Sequence, residues 1–60
     1  MKKLKVRSKM LEEYGYVEGG TADYNYNHEY VPKVLVYFPE LSELLFVNIR
    51  ELEVIGYEEI

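Results

Sequence analysis

Seven tyrosines stand out in this chain of 60 residues, and five of them, Tyr14, Tyr16, Tyr24, Tyr26 and Tyr30, fall between positions 14 and 30. Tyr14 and Tyr16 are two apart, as are Tyr24 and Tyr26, so on an extended chain each pair shares one face. A tyrosine ring offers a large, stiff contact area with a polar tip, which suits recognition of a surface. Glu12, Glu13, Glu18, Asp23 and Glu29 surround these rings in the sequence. An aromatic patch ringed by acids suits a basic protein surface, such as the groove of a nucleic-acid-binding protein. The same rings could also roof a small core, and the two uses are compatible.

Covalent chemistry has little to work with. Nucleophilic catalysis needs a nucleophile, a base and an orienting group in contact. Ser8, Thr21 and Ser42 are the hydroxyls besides tyrosine, His28 is the one histidine, and there is no cysteine. Ser8 falls on the apolar parity of its segment and reads as a small core filler. Glu12-Glu13 and Glu58-Glu59 are adjacent carboxylates, which an extended chain points to opposite faces, so they read as solvated charge. Asp23, His28 and Glu29 are close in sequence but form a poor ligand set without cysteine or a second histidine. Gly19-Gly20 is followed by Thr21-Ala22-Asp23, which lacks the lysine of a phosphate-cradling loop. The expectation is a protein without catalysis, metal or cofactor.

The charge is divided along the chain. The first ten residues carry Lys2, Lys3, Lys5, Arg7 and Lys9 and no acid, whereas the rest carry all eleven acids against Lys33 and Arg50, for a net charge of −4. Nucleic-acid coats draw their affinity from phosphate neutralisation and are usually net positive. Lys3, Lys5, Arg7 and Lys9 are therefore an alternative nucleic-acid-binding stripe, while the simpler reading has them neutralise acidic neighbours within the fold.

These residues must be positioned by a small domain. Sixty residues make one domain, 1–60, with a small core and marginal stability. No apolar run is long enough for a membrane span, and no apolar leader core follows the basic start, so a cytoplasmic protein is expected. Leu4, Val6, Ser8 and Met10 alternate with Lys3, Lys5, Arg7 and Lys9, which predicts a half-buried strand over 3–10. Gly15, Gly19 and Gly20 predict a long structured loop over 11–20. A second strand is expected over 21–26, a turn at 27–29 and a third strand over 31–38, with Pro32 near its start. Residues 41–55 fit two templates. In one, 43–47 returns as a strand, 48–51 makes a short helical turn, and 52–57 forms a last strand that Gly56 ends or bulges. In the other, Leu41, Leu44, Leu45, Ile49 and Leu52 lie on one face of a helix that starts after Pro39. The fold expected is all-β with five strands; the alternative is a three-stranded antiparallel sheet with a C-terminal helix.

The run from Val34-Leu35-Val36-Tyr37-Phe38-Pro39 to Leu45-Phe46-Val47-Asn48-Ile49-Arg50-Glu51-Leu52-Glu53-Val54-Ile55 resembles the end of small SH3-like barrels of the KOW and photosystem-subunit type. The likeness rests on an alternating strand, a turn, a short strand, one 3₁₀ turn and a final strand with the pattern Leu-x-Val-Ile. It implies a five-stranded SH3-like barrel with one short 3₁₀ turn, and an RT-type loop over the glycine-rich segment. The chain has no tryptophan and lacks the aromatic loop motif of peptide-binding SH3 domains, so proline-rich peptide binding is not implied. It also lacks the glycine-centred basic motif of nucleic-acid-binding KOW segments.

Three functions are compatible with these observations. The first is a non-catalytic protein-binding module that docks on a basic partner through Glu12, Glu13, Tyr14, Tyr16, Glu18, Asp23, Tyr24, Tyr26 and Tyr30. A small inhibitor of a nucleic-acid-processing or defence protein, of the sort phages supply, is its concrete version. The second is a nucleic-acid-binding barrel that uses the basic strand. The third is a homo-oligomeric structural protein, because a small core gains from assembly and a strand edge can pair with its mate.

Overall fold

The computed structural model describes the backbone of residues 1–26 and 29–60, and side chains at 1–20 and 32–60. Five strands form one antiparallel sheet: β1 (Lys2–Ser8), β2 (Glu13–Tyr26), β3 (Glu29–Phe38), β4 (Glu43–Asn48) and β5 (Leu52–Glu59), with one 3₁₀ turn, Ile49–Glu51, between the last two. The strand order is β4-β3-β2-β1-β5. The first four strands form a meander of hairpins, and the 3₁₀ turn redirects the chain so that β5 pairs with β1. The sheet is not closed, and β4 and β5 are its edges.

Period-two alternation sorts β1 cleanly. Val6 and Ser8 are buried, whereas Lys3, Lys5 and Arg7 lie on the other face. Among the described residues, Val6, Val36, Phe38 and Val47 form the buried core, with Leu4, Val17, Val34 and Leu52 packed against it. Each fully buried side chain of this kind contributes about 1.5–3 kcal/mol relative to exposure. In a core this close-packed, stability depends on close contacts. Gly15 supplies one such contact. A Cβ there would lie 2.5 Å from Val36 Cγ1 and 2.8 Å from the Tyr37 carbonyl oxygen.

Several expectations need correction. The segment 11–20 is not a long loop: the chain turns over 9–12, and β2 runs unbroken from Glu13 through the glycines. Gly15 is present for close packing inside a strand. Gly19 and Gly20, at φ 99° and 77°, sit where the β2–β3 register shifts, so they bend the strand without ending it. β1 stops at Ser8, two residues short of the expected end, and Met10 is 72% exposed in the turn. Ser8 does more than fill space: its Oγ accepts from the Leu11 N–H at 3.1 Å and its carbonyl from the Glu12 N–H at 2.8 Å, which closes the turn.

β3 begins at Glu29, which pairs with Tyr26; the rest of the expected turn, at 27 and 28, lies outside the described residues. Pro32 falls just beyond the part of β3 that β4 covers, where its missing N–H breaks no bond to β4.

The helical alternative for 41–55 is overturned. β4 returns along β3 with Val34 opposite Val47 and Phe38 opposite Glu43. Asn48 then caps the 3₁₀ turn, its Oδ1 accepting from the Arg50 N–H at 2.9 Å. A helix would have turned Phe46 and Val47 to water together, whereas strand alternation buries Val47. Gly56, at φ 142°, bulges β5, so that Lys5 faces Gly56 while Val6 faces Val54.

Candidate functional site

β1 lies between β2 and β5, and this placement decides what the basic strand meets. On the outer face, Lys5 is opposite Tyr16 on one side and Gly56 on the other; Arg7 is opposite Tyr14 and Glu53. Because Gly56 carries no side chain, Lys5 reaches along β5 to Glu58. Lys5 Nζ is 3.3 Å from Glu58 Oε2, and the Tyr16 hydroxyl donates to Glu58 Oε1 at 3.0 Å. The Lys5 ammonium also stands over the Tyr14 ring, 5.1 Å from its centroid, within cation–π range. Lys3 Nζ bonds both carboxylate oxygens of Glu18 at 2.6 Å.

The cluster shifts its own titrations. The Tyr16 hydrogen bond, followed by that of Lys5, holds the Glu58 carboxyl below its ordinary range. The bond to Glu58 raises both the Lys5 ammonium and the Tyr16 phenol above theirs. All three shifts favour the state in which Glu58 is ionised, Lys5 is charged and Tyr16 keeps its proton.

The expected binding residues run from the β1–β2 turn along β2, with Tyr30 on β3. Glu12 is exposed in the β1–β2 turn, at φ 55°, and Glu13 starts β2 opposite Ser8. Tyr14, Tyr16 and Glu18 follow on the outer face; Tyr14 is 49% exposed and Tyr16 half-buried. Asp23, Tyr24, Tyr26 and Tyr30 belong to the far part of the β2–β3 ladder, with Asp23 opposite Pro32, Tyr24 opposite Val31, Tyr30 opposite Asn25 and Tyr26 opposite Glu29. The side chains of these four lie outside the described residues. From Glu12 to Asp23 the strand covers on the order of 30 Å of chain.

Of the basic stripe, Lys3 and Lys5 are held in ion pairs with Glu18 and Glu58, and Lys9 lies past the end of β1, exposed. Glu58, read from the sequence as solvated charge, is the carboxylate that binds both Lys5 and Tyr16. No local signal marks it, because its place depends on the bulge at Gly56 in the β1–β5 register.

A second, apolar feature lies on the core face. Leu4, Val6, Val17, Val34, Leu52 and Val54 line most of a groove of about 150 Å³, which Ile49 completes. No three metal-ligating side chains converge among the described residues, and no helix among them is long and apolar enough to cross a membrane. In comparisons with known proteins, no family model, no curated protein and no solved structure matches the chain.

Proposed function

We propose that this protein is a non-catalytic binding module that docks on a basic protein surface through the outer face of β2, with Tyr14 at the centre of the contact. The observation that carries this reading is the state of Tyr14: it is 49% exposed, yet Lys5 stands over its ring. Tyr16 beside it is tied to Glu58. Aromatic rings fixed before binding lose less conformational freedom on docking, which favours affinity. Glu18 on this face, with Glu12 and Glu13 at the turn that leads into it, supplies acidic charge, and a net charge of −4 steers a basic partner towards it. Asp23, Tyr24, Tyr26 and Tyr30 extend the same strand pair and are proposed as the distal part of the contact.

The ion pairs of Lys3 and Lys5 favour this reading over a phosphate track along β1, because a nucleic acid would have to displace Glu18 and Glu58. A concrete form of the function is inhibition of a nucleic-acid-processing or defence protein of the phage-antagonist kind, with the acidic face occupying its phosphate channel. The strand order, and the 3₁₀ turn between β4 and β5, support a likeness to the small SH3-like barrels, which we propose as its architectural class.

The test is capture of partners from host lysate by the intact chain and by Tyr14→Ala with Glu12→Gln and Glu13→Gln. A stoichiometric protein partner lost on mutation, with affinity that falls as salt rises, supports the proposal. Recovery of nucleic acid, or of the same partner by both forms, rejects it.

A further inference from the structure

The two edges of the sheet are built differently. β5 carries Glu53, Glu58 and Glu59 and is bulged at Gly56. Charges and bulges of this kind keep an edge from pairing with another strand. β4 has no bulge, and its one charge is Glu43 at its first position. From Leu44 to Asn48 it runs Leu-Leu-Phe-Val-Asn without a charge, and its ladder to β3 shows no register shift. Both of its faces are apolar: Leu45 and Val47 face the core, whereas Leu44 and Phe46 point outward, each 53% exposed.

We propose that β4 pairs with β4 of a second copy of this chain, antiparallel about a two-fold axis through Phe46, to make one continuous ten-stranded sheet. Directly opposed residues of an antiparallel pair share a face and a hydrogen-bonding type, so a two-fold pairing centres on a single residue. Three centres are available on this strand, and charge chooses between them. A centre at Leu45 sets Glu43 against Val47 on the core face, where its carboxylate loses water without a partner. A centre at Val47 sets Glu43 against Glu51 of the second copy, a like-charge pair. The centre at Phe46 stacks Phe46 on its counterpart outside and packs Leu45 against Val47 inside. It also brings Glu43 level with Ile49, so that Arg50 of the other copy is the nearest charged residue along the facing chain.

A stable interface takes about 800 Å² from each partner, so the contact draws on the flanks of β4 as well. Leu41 and Ile49 continue the apolar strip beyond the two ends of β4, and both are exposed. A groove of about 370 Å³ opens between β4 and Met10 and Leu11 of the β1–β2 turn, which leaves room for the second copy's side chains on the core face. Because both copies use β4 and β5 is protected, the assembly closes as a dimer and does not extend into a fibre.

Light scattering coupled to size exclusion, from about 1 μM to about 1 mM, reads the association across the range of ordinary affinities. The expected result is a dimer that Phe46→Lys weakens by about thirtyfold or more, as loss of a central contact does, with the far-ultraviolet circular dichroism unchanged. Glu43→Lys weakens the dimer and the double variant Glu43→Lys/Arg50→Glu restores it, which decides the matter even if Phe46→Lys fails to fold. A monomer throughout the range overturns the proposal. So does a dimer indifferent to both sets of variants, or a monomer that takes up an extended apolar peptide on β4 instead. The acidic face on β2 is a different surface, so none of these results bears on it.

Discussion

Tyr16 and Glu58 are joined across the strand that separates them: the phenol on β2 donates to the carboxylate on β5 at 3.0 Å, over β1. The link holds the outer face together beyond the backbone ladder, and Lys5 of the intervening strand bonds the same carboxylate. Tyr16→Phe removes the donor that contributes most to depressing Glu58. The Glu58 carboxyl is therefore expected to titrate higher in the variant, while the fold is kept. Carbon-detected NMR titration of the glutamate side chains reads this directly. An unmoved Glu58 would show that the bond is not formed in solution.

The same cluster gives stability a defined pH profile. Glu58 is held below its ordinary value of 4.5, so its contribution is complete above about pH 4.5 and is lost as pH falls through the folded value. Tyr16 and Lys5 are raised above 10.0 and 10.5, so their contributions are complete below about pH 10 and are lost as pH rises through the folded values. The difference in urea midpoint between the natural chain and Glu58→Gln should form a plateau between these limits and shrink at both ends. A difference that is constant down to pH 2 would contradict the assignment.

Gly15 tests the packing of the core. Its Cβ position is 2.5 Å from Val36 Cγ1 and 2.8 Å from a backbone oxygen, and the oxygen cannot move without shifting β3. Gly15→Ala should destabilise the fold by about 1–3 kcal/mol, the usual cost of overpacking. Gly19→Ala meets no atom within 4 Å and pays only for its positive φ. Denaturant unfolding of the two variants should rank Gly15→Ala as the more damaging; equal effects would mean that β2 and β3 do not approach this closely.

Ser42 ends the β3–β4 turn at φ 51°, a left-handed conformation that strains any residue with a Cβ. Ser42→Gly should stabilise the protein by roughly 0.5–1 kcal/mol, after the glycine's greater freedom in the unfolded chain is subtracted. A thermal midpoint raised by a few degrees is the expected reading, and a lowered one would show that the turn has another form.

Ser8 supplies the complementary test at the β1–β2 turn. Its hydroxyl is buried and accepts from the Leu11 N–H. Ser8→Ala leaves that donor without its partner and should cost about 1 kcal/mol. Thermal unfolding of the variant checks this, and an unchanged midpoint would mean that water replaces the hydroxyl.

Much of this architecture is legible in the order of residues. Alternation of lysines with Leu4, Val6 and Ser8 specifies β1 and its buried face, because period two cannot be satisfied on a helix. The pattern through 43–57 contains the strand, 3₁₀ turn and strand that the structure shows, and Gly56 its bulge. The tyrosine spacing places Tyr14 and Tyr16 on one face, as any extended chain would.

Glycine misled the reading of 11–20, because the residue type records freedom of φ and absence of a side chain alike. At Gly15 the second property matters, and its cause is Val36 and Phe38 of another strand. The partners of the basic stripe were equally hidden. Lys5 meets Glu58 only because β5 crosses to β1 in a register shifted at Gly56, a pairing between residues 53 positions apart that local pattern does not encode. The sequence alone determined the buried face of β1, the shared face of Tyr14 and Tyr16 and the division of charge, since each follows from neighbours along the chain. Tertiary structure alone decided which charges neutralise each other, which tyrosine is presented and which edge is left bare, since each depends on strands distant in sequence being brought side by side.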